Sequence, residues 1–241
     1  MKKRILSNIV FFLTVSIFVL FAFSKSENNN ITDFEIIFKQ NDYQYINTQE
    51  VYDKINFQNK QSTYSIKDIN TRLLEDSIEM LIYVKNAEVY LSLDNKLTIL
   101  IQQENPFIRT VIDNDICFLT RDSVKLNVVD GQSPNVLFFI DDISLKPWAE
   151  TLYLADYLYG NRFLKSIINK VSYNHNSEYI LHSGLFDLKI NIGDVSKLSE
   201  KEDLIKLYFT TIVNDERLKN NKVKVLNVKY EDQLICTMKK L

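Results

Sequence analysis

Glycine and proline are scarce in this chain, with four and three residues among 241. Such a composition argues against loop-rich and fibrous architectures. With so few glycines, the chain also has no glycine-rich loop of the kind that holds phosphate groups. Fifteen phenylalanines and thirteen tyrosines are typical of strand-rich packing instead. The length allows two modest domains or one large one.

An excess of positive charge is absent as well. The formal net charge is -2, and three of the basic residues stand together near the N-terminus at Lys2, Lys3 and Arg4. The rest of the chain is therefore more acidic than the total suggests. Because a nucleic-acid-binding surface needs clustered basic residues, the sequence argues against nucleic acid as a partner.

Residues that commonly carry out catalysis are few. The two histidines, His175 and His182, have no second histidine, cysteine or glutamate at the spacing of zinc ligands. The two cysteines, Cys117 and Cys236, stand in apolar runs and are expected to be small buried side chains, although neither their pairing nor a Cys/His dyad is settled by spacing. The sequence therefore predicts no enzyme activity, no metal and no cofactor.

Two short acidic segments contain possible calcium ligands. The segments 113–115 and 141–142 contain aspartates but lack the central glycine and terminal glutamate of a calcium-binding loop. They are predicted to be solvated turns. A hydrolase of the cell envelope stays an alternative function, with Cys117, His175 or His182 as its candidate residues.

The N-terminus carries the longest apolar run, from Ile5 to Phe23, without a charged residue. A helix of this length spans roughly 28 Å, close to the hydrocarbon thickness of a bilayer. The run is longer than the core of a signal peptide, and "FAFSKS" lacks a small-x-small cleavage site. The sequence therefore predicts an uncleaved membrane anchor, with residues 1–4 in the cytoplasm and the chain from Ser24 onward outside it. A cleaved signal peptide is the alternative.

After a polar linker at residues 24–30, the pattern predicts a small domain at residues 31–110 with the order strand, helix, helix, strand, strand. Thr48 is the expected N-cap of its first helix, and residues 66–81 form its second. The two last strands alternate around a turn at Asp94-Asn95. Pro106 cannot donate to a strand ladder, so the last strand is expected to end near Glu104.

Residues 111–241 read as a second domain of short strands with flanking helices. Pro147 and Gly160 bracket one predicted helix, and Ser199 with Glu202 forms a capping box for another. The chain closes with a hairpin whose turn is expected at Glu231-Asp232. The predicted fold class is therefore α+β: a single transmembrane helix, a β-α-α-β-β domain and a mixed β-sheet domain.

Two stretches carry a resemblance to a known family. The segment "YVKNAEVYLSLDNKLTILIQQENPFIR" resembles part of the POTRA module of FtsQ/DivIB cell-division proteins. The segments "INIGDVSKLSEKEDLIKLYF" and "VLNVKYEDQLICTMKK" are similar to the end of the second domain of that family. The matching positions are Val84, Ala87, Val89, Leu97, Ile99, Ile101 and Pro106 in the first stretch, and Asn227, Lys229, Tyr230, Gln233 and Cys236 in the last.

The resemblance implies a non-catalytic divisome scaffold. Members of the family bind FtsB and FtsL and help to control septal peptidoglycan synthesis by FtsW and FtsI, and their POTRA part is associated with contacts to FtsK. It also implies a single-pass type II protein of the inner membrane, with its domains in the periplasm at the division septum. A POTRA-bearing protein of outer-membrane assembly or secretion is the alternative.

The resemblance further implies that FtsB adds a strand to the terminal edge of the chain. Tyr230 matches an aromatic hot spot of the family, although packing on the domain core is an equally good reading of it. Met238 stands near the position of a family tryptophan, so its energetic role differs. The residues expected to bind the partner strand are Tyr230, Asp232, Gln233, Leu234, Ile235, Cys236 and Met238.

Overall fold

The computed structural model describes residues 11–19, 30–39, 43–55, 64–129, 131–143, 147–174, 176–212 and 223–238. These residues form a mixed α+β structure. The chain divides into two compact units, Met1–Glu104 and Asn105–Leu241. Strand β4 (Ile108–Ile112), which contains the domain boundary predicted after Thr110, pairs with strands of the second unit.

Helix α1 covers residues 11–19 and is the described part of the predicted membrane span. These described residues span roughly 14 Å at about 1.5 Å per residue, about half of a bilayer's hydrocarbon core. Across the described ranges, no helix combines the length and the apolar character needed to cross a membrane. The predictions of a transmembrane helix and of a single-pass inner-membrane location are therefore wrong. Ile5 and Phe23, named as the ends of that helix, lie outside the described residues.

The first unit has the predicted order of elements. A three-stranded sheet runs in the order β1-β3-β2, with β1 parallel to β3 and β2 antiparallel to β3. Leu97, Ile99 and Ile101 of β3 are fully buried, as a central strand requires. The elements are β1 (Asp33–Phe38), α2 (Thr48–Lys54), a 3₁₀ helix (Ile66–Asp68), α3 (Thr71–Glu79), β2 (Val84–Leu91) and β3 (Lys96–Gln103).

Asparagine side chains begin helices α2 and α3 of this unit. Asn47 accepts a hydrogen bond from the Glu50 amide at 2.8 Å, so it is the N-cap that the sequence assigned to Thr48. Asn70 accepts one from the Leu73 amide at 3.2 Å. The single helix predicted over residues 66–81 is therefore wrong, because the backbone is extended at Ile69 and the Asn70 side chain starts a new helix.

The second unit contains a nine-stranded sheet in the order β12-β11-β10-β9-β8-β7-β4-β5-β6. Its strands after β4 are β5 (Asp115–Leu119), β6 (Lys125–Leu126), β7 (Leu137–Asp142), β8 (Ile168–Tyr173), β9 (Tyr179–Ser183), β10 (Lys189–Gly193), β11 (Val223–Asn227) and β12 (Ile235–Met238). Its α-helices are α4 (Trp148–Gly160), α5 (Arg162–Ile167) and α6 (Leu198–Leu207), with a π-helical turn at Tyr208–Ile212.

One face of this sheet carries the hydrophobic core. Phe139, Val171 and Leu181 alternate with more accessible neighbours along their strands and pack with Leu154 and Leu158 of α4. Pro147 precedes α4 and Gly160 ends it, as predicted. The helices therefore cover the core face, and the opposite face carries the alternate residues of each strand.

The capping box predicted at Ser199 and Glu202 is wrong. Helix α6 already begins at Leu198, and its N-cap is Lys197, with a φ of 49° and no capping side-chain bond. The Glu202 carboxylate instead accepts a hydrogen bond from the Tyr157 hydroxyl at 2.5 Å and pairs with Lys206. The Glu202 side chain therefore bonds to Tyr157 of α4 and does not cap the start of α6.

Candidate partner-binding edge

Strand β12 lies at one end of the nine-stranded sheet. It pairs antiparallel with β11, which places Ile235 opposite Asn227 and Cys236 opposite Leu226. Among the described residues, no strand pairs with its other side. An edge of this kind presents unpaired backbone N–H and C=O groups, which another extended chain can pair with.

The side chains of β12 are divided between the two faces of the sheet. Cys236 is partly buried against the core, together with Leu234 just before the strand. Ile235 and Met238 remain 44% and 39% exposed. These two apolar side chains are accessible from solvent, whereas the Cys236 side chain packs against the core.

Tyr230 does not pack in the core. Leu226 and Val228 are fully buried, but the side chain of Tyr230 is 48% exposed. The residue follows β11 and precedes the turn at Asp232, whose φ is 53°. The alternation that buries Leu226 and Val228 does not extend to Tyr230, because β11 ends at Asn227. Of the two readings of Tyr230, the structure excludes burial in the core.

Contacts with the end of β10 hold the segment that carries Tyr230. The Val228 amide donates to the Asn191 carbonyl at 3.0 Å. Gly193 has a φ of 68°, and a Cβ atom at this position would lie 2.9 Å from the Cβ of Lys229. Only glycine fits such an approach without strain. The backbone before Tyr230 is therefore positioned by strand β10.

A network of hydrogen bonds around the Glu178 carboxylate also holds Lys229, the residue before Tyr230. The Glu178 carboxylate pairs with Lys229 at 2.8 Å and accepts hydrogen bonds from Asn191 at 2.8 Å and Asn174 at 2.7 Å. These donors, with Lys229 the strongest, lower the pKa of Glu178 to about 2. Lys229 in turn lies over the Tyr230 ring, 5.0 Å from its centroid.

This network predicts acid sensitivity. The pKa of Glu178 is lower in the folded chain than its ordinary value, so its stabilising contribution is complete above about pH 5 and is lost as the pH falls toward 2. We expect Glu178→Gln to cost about 1 kcal/mol at neutral pH and to lose less stability between about pH 5 and about pH 3 than the unmodified chain. Urea unfolding at several pH values measures both.

Glu200→Gln is the control, because the Glu200 side chain is 63% exposed in its pair with Lys197. We expect this variant to follow the pH profile of the unmodified chain. A Glu178→Gln profile parallel to that of the unmodified chain would contradict the role of this network.

The second unit matches a known protein-family model. The model for the FtsQ/DivIB C-terminal related domain matches residues 105–237, which is more than half of the chain. The chain belongs to the FtsQ/DivIB family. The family predicted from the sequence is thereby confirmed. No curated protein matches the chain significantly.

Membership in the FtsQ/DivIB family supports a role in cell division through interactions with divisome proteins. The family is known for non-catalytic scaffolds. The matched region covers the nine-stranded sheet from β4 into β12. The terminal edge therefore belongs to the part of the chain that carries the family likeness.

A groove of about 590 Å³ lies beside Tyr230 in this FtsQ/DivIB domain. Its wall includes Val228 and Tyr230 on one side and the N-terminal part of α6 on the other. Asp194 at its rim pairs with Lys201 at 2.8 Å, and Glu231 pairs with Lys197. The groove gives a side chain of a partner room next to the exposed ring.

Strand β2 is also at the edge of its sheet, but side chains already bond to its backbone amides. The Val89 amide donates to the Glu75 carboxylate at 2.7 Å, and the Ala87 amide donates to the Glu79 carboxylate at 3.0 Å. Helix α3 therefore occupies edge groups of β2 that a partner strand would need. Among the described residues, no side chain accepts a hydrogen bond from an amide of β12, so the two edges differ in accessibility.

The remaining candidate residues from the sequence lie apart from this edge. Cys117 is buried in β5, and neither it nor Cys236 forms a disulfide. Burial raises the pKa of both thiols, which keeps them protonated. The His182 ring lies 2.6 Å from the Ser172 hydroxyl, and burial lowers the pKa of His182.

The Ser172–His182 contact was not foreseen, because the two residues meet only through pairing of β8 with β9. His175 lies outside the described residues. Within the described ranges, no three histidine, cysteine or acidic side chains are grouped as metal ligands.

Proposed function

We propose that this FtsQ/DivIB-family chain is a non-catalytic scaffold of the divisome that binds FtsB by strand addition to β12. Through FtsB and FtsL it would act on septal peptidoglycan synthesis by FtsW and FtsI, and FtsK would be a further contact. The single observation that carries this proposal is the open edge of β12 beside an exposed tyrosine.

The chemistry of strand addition fits this edge. Backbone hydrogen bonds to β12 supply affinity that depends little on sequence, and alternate side chains supply specificity. Ile235 and Met238 offer apolar contacts, and Tyr230 offers the large aromatic surface typical of an interface hot spot. Asp232 and Gln233 are exposed in the adjoining turn, where they can contact the end of a paired strand.

Replacing Ile235 with aspartate tests the proposal. A partner strand added to β12 would remove solvent from this side chain, and an unpaired carboxylate there is costly to desolvate. We expect binding of purified FtsB to the full chain to weaken at least tenfold, measured by calorimetry or co-purification. Circular dichroism and the thermal midpoint are expected to stay close to those of the unmodified chain.

Ile116→Asp is a matched control. Ile116 is 45% exposed, against 44% for Ile235, and it lies in β5 near the other end of the same sheet. We expect this variant to bind FtsB normally. Full binding by a folded Ile235→Asp chain would refute strand addition at β12, whereas equal loss in both variants would indicate a general effect of surface charge.

A further inference from the structure

The strand register places several basic residues in one row across the second sheet. Arg109 in β4 is opposite Phe138 in β7, which is opposite Lys170 in β8. His182 in β9 is opposite Lys170 and also opposite Lys189 in β10. At one end the row continues through Val225 to Thr237, and at the other end the register leads from Arg109 to Phe118 and Leu126, which are buried. The accessible part of the row therefore consists of Arg109, Phe138, Lys170, His182, Lys189, Val225 and Thr237.

This row lies on the face that the helices leave uncovered. The residues next to it in sequence, including Ile108, Phe139, Val171, Leu181 and Ile190, are buried in the core with α4 and α6. Because side chains alternate along a strand, the row points away from that core. Lys170, Lys189 and Thr237 are exposed, and the other members are partly accessible.

The three permanent cations of the row have no carboxylate partner. Arg109, Lys170 and Lys189 form no ion pair with any described residue. The Arg109 guanidinium lies 5.2 Å from the centre of the Phe138 ring, and its buried Nε atom lacks a hydrogen-bond acceptor. In contrast, Lys201 and Lys229 of the same unit each hold a carboxylate at 2.8 Å.

The titratable and acidic groups near the row cancel only part of its positive charge, since the negative charge of Asp141 acts on His182. Burial, followed by the charges of Lys189 and Lys170, lowers the pKa of His182, which is therefore mainly neutral at pH 7. The Asp141 carboxylate accepts a hydrogen bond from the Tyr173 amide at 2.6 Å. Asp142 lies in register with Val111, beyond the row. The row therefore keeps an excess of positive charge from Arg109, Lys170 and Lys189 over the Asp141 carboxylate.

The cations are evenly spaced. Arg109, Lys170 and Lys189 occupy every second strand, and neighbouring strands are about 4.8 Å apart, so consecutive cations are separated by roughly 10 Å. On an α-helix, residues seven apart share a face and are separated by about 10.5 Å. On an extended chain, residues of one face repeat at about 6.7 Å, which does not match.

We propose that the open face of the second sheet docks an acidic α-helix of a partner protein, lying across the strands with carboxylates seven residues apart. The charge and spacing of Arg109, Lys170 and Lys189 select this occupant. The site is distinct from the edge pairing of β12, because its contacts are side chains of β4, β8 and β10. It can therefore be tested separately from FtsB binding.

The probe is a synthetic alanine-rich helical peptide with three glutamates seven residues apart, labelled for fluorescence anisotropy with the full chain at about 50 mM salt. We expect it to bind at least fivefold more tightly than a peptide of the same composition with the glutamates spread around the helix. Raising the salt to about 300 mM should remove most of this binding.

The double variant Lys170→Glu/Lys189→Glu is expected to weaken binding of the peptide at least tenfold and to leave FtsB binding unchanged. The control is Lys125→Glu/Lys165→Glu, which changes the net charge equally at two exposed lysines outside the row. Equal affinity for both peptides, equal loss in both double variants, or tighter binding to duplex DNA or anionic vesicles would each overturn the proposal.

Discussion

Replacing Gly193 with alanine is expected to lower the free energy of unfolding of the second unit by about 3 kcal/mol. The φ of 68° is a conformation that alanine adopts only with strain, which costs about 1–2 kcal/mol. The added methyl group would also lie 2.9 Å from the Cβ of Lys229, so one of the two backbones must move. We attribute the rest of the expected loss to this displacement.

Urea unfolding of the full chain measures this loss, and Gly160→Ala supplies the matched control. A Cβ atom at Gly160 meets nothing within 4 Å, and the residue ends α4 with an ordinary helical backbone. We expect that variant to change stability by less than about 1 kcal/mol. A loss below about 1 kcal/mol in Gly193→Ala would show that the Lys229 segment shifts freely.

The Gly193 variant also bears on the proposed edge. Lys229 immediately precedes Tyr230, so a displaced Lys229 backbone moves the exposed ring relative to β12. We expect FtsB binding by Gly193→Ala to weaken even under conditions where the chain remains folded. The close approach of β10 to residue 229 thus links the stability of the sheet to the geometry of its terminal edge.

Replacing Tyr159 with phenylalanine is expected to cost about 3 kcal/mol, although it removes a single oxygen atom. The Tyr159 hydroxyl donates to the Phe107 carbonyl at 2.8 Å and accepts from the Leu137 amide at 2.7 Å. It therefore joins helix α4 to the chain just before β4 and to the first residue of β7. Two backbone groups would lose their partner, at about 1–3 kcal/mol for each group that stays dry.

The environment of this hydroxyl supports a large effect. Burial raises the pKa of Tyr159 to about 12, and its ring packs 5.3 Å from that of Phe107. The Arg121 guanidinium lies over the Phe107 ring, 4.4 Å from its centroid. A groove of about 310 Å³ borders Leu137 and Tyr159, so water replaces part of the lost hydrogen bonding and the expected cost stays near the lower end of the range for two groups.

Tyr153→Phe is the control for this substitution. Tyr153 lies in the same helix, but its side chain is 53% exposed. We expect that change to stay within about 0.5 kcal/mol in urea unfolding. A Tyr159→Phe chain as stable as the control would mean that Leu137 and Phe107 find other hydrogen-bond partners.

Local patterns predicted much of the secondary structure. The alternation around Asp94-Asn95 predicted the β2–β3 hairpin, whose turn residue Asn95 has a φ of 64°. Pro147 and Gly160 marked the ends of α4 correctly. These signals succeed because a proline or a turn asparagine restricts its own backbone, whatever the rest of the chain does.

Helix starts were predicted less well. The positions assigned to Thr48 and Ser199 were wrong because capping depends on the backbone that the cap side chain can reach. The side chain of Asn47, which precedes Thr48, accepts the hydrogen bond from the Glu50 amide. Helix α6 begins at Leu198, one residue before Ser199. The prediction of a membrane span was wrong for another reason. An apolar run indicates that its residues favour an apolar environment, but it does not determine how many of them form one continuous helix.

The sequence alone determined the family and the alternating pattern of the terminal hairpin, since both depend on the order of residues along a short stretch. Only the tertiary structure decided which strand is an edge and which side chains share a face. Strand β11 joins β10 in parallel after an intervening helix, and this places β12 at the end of the sheet. Arg109, Lys170 and Lys189 are far apart in the chain and meet in one row only because strand register is set by long-range pairing, which no local pattern records.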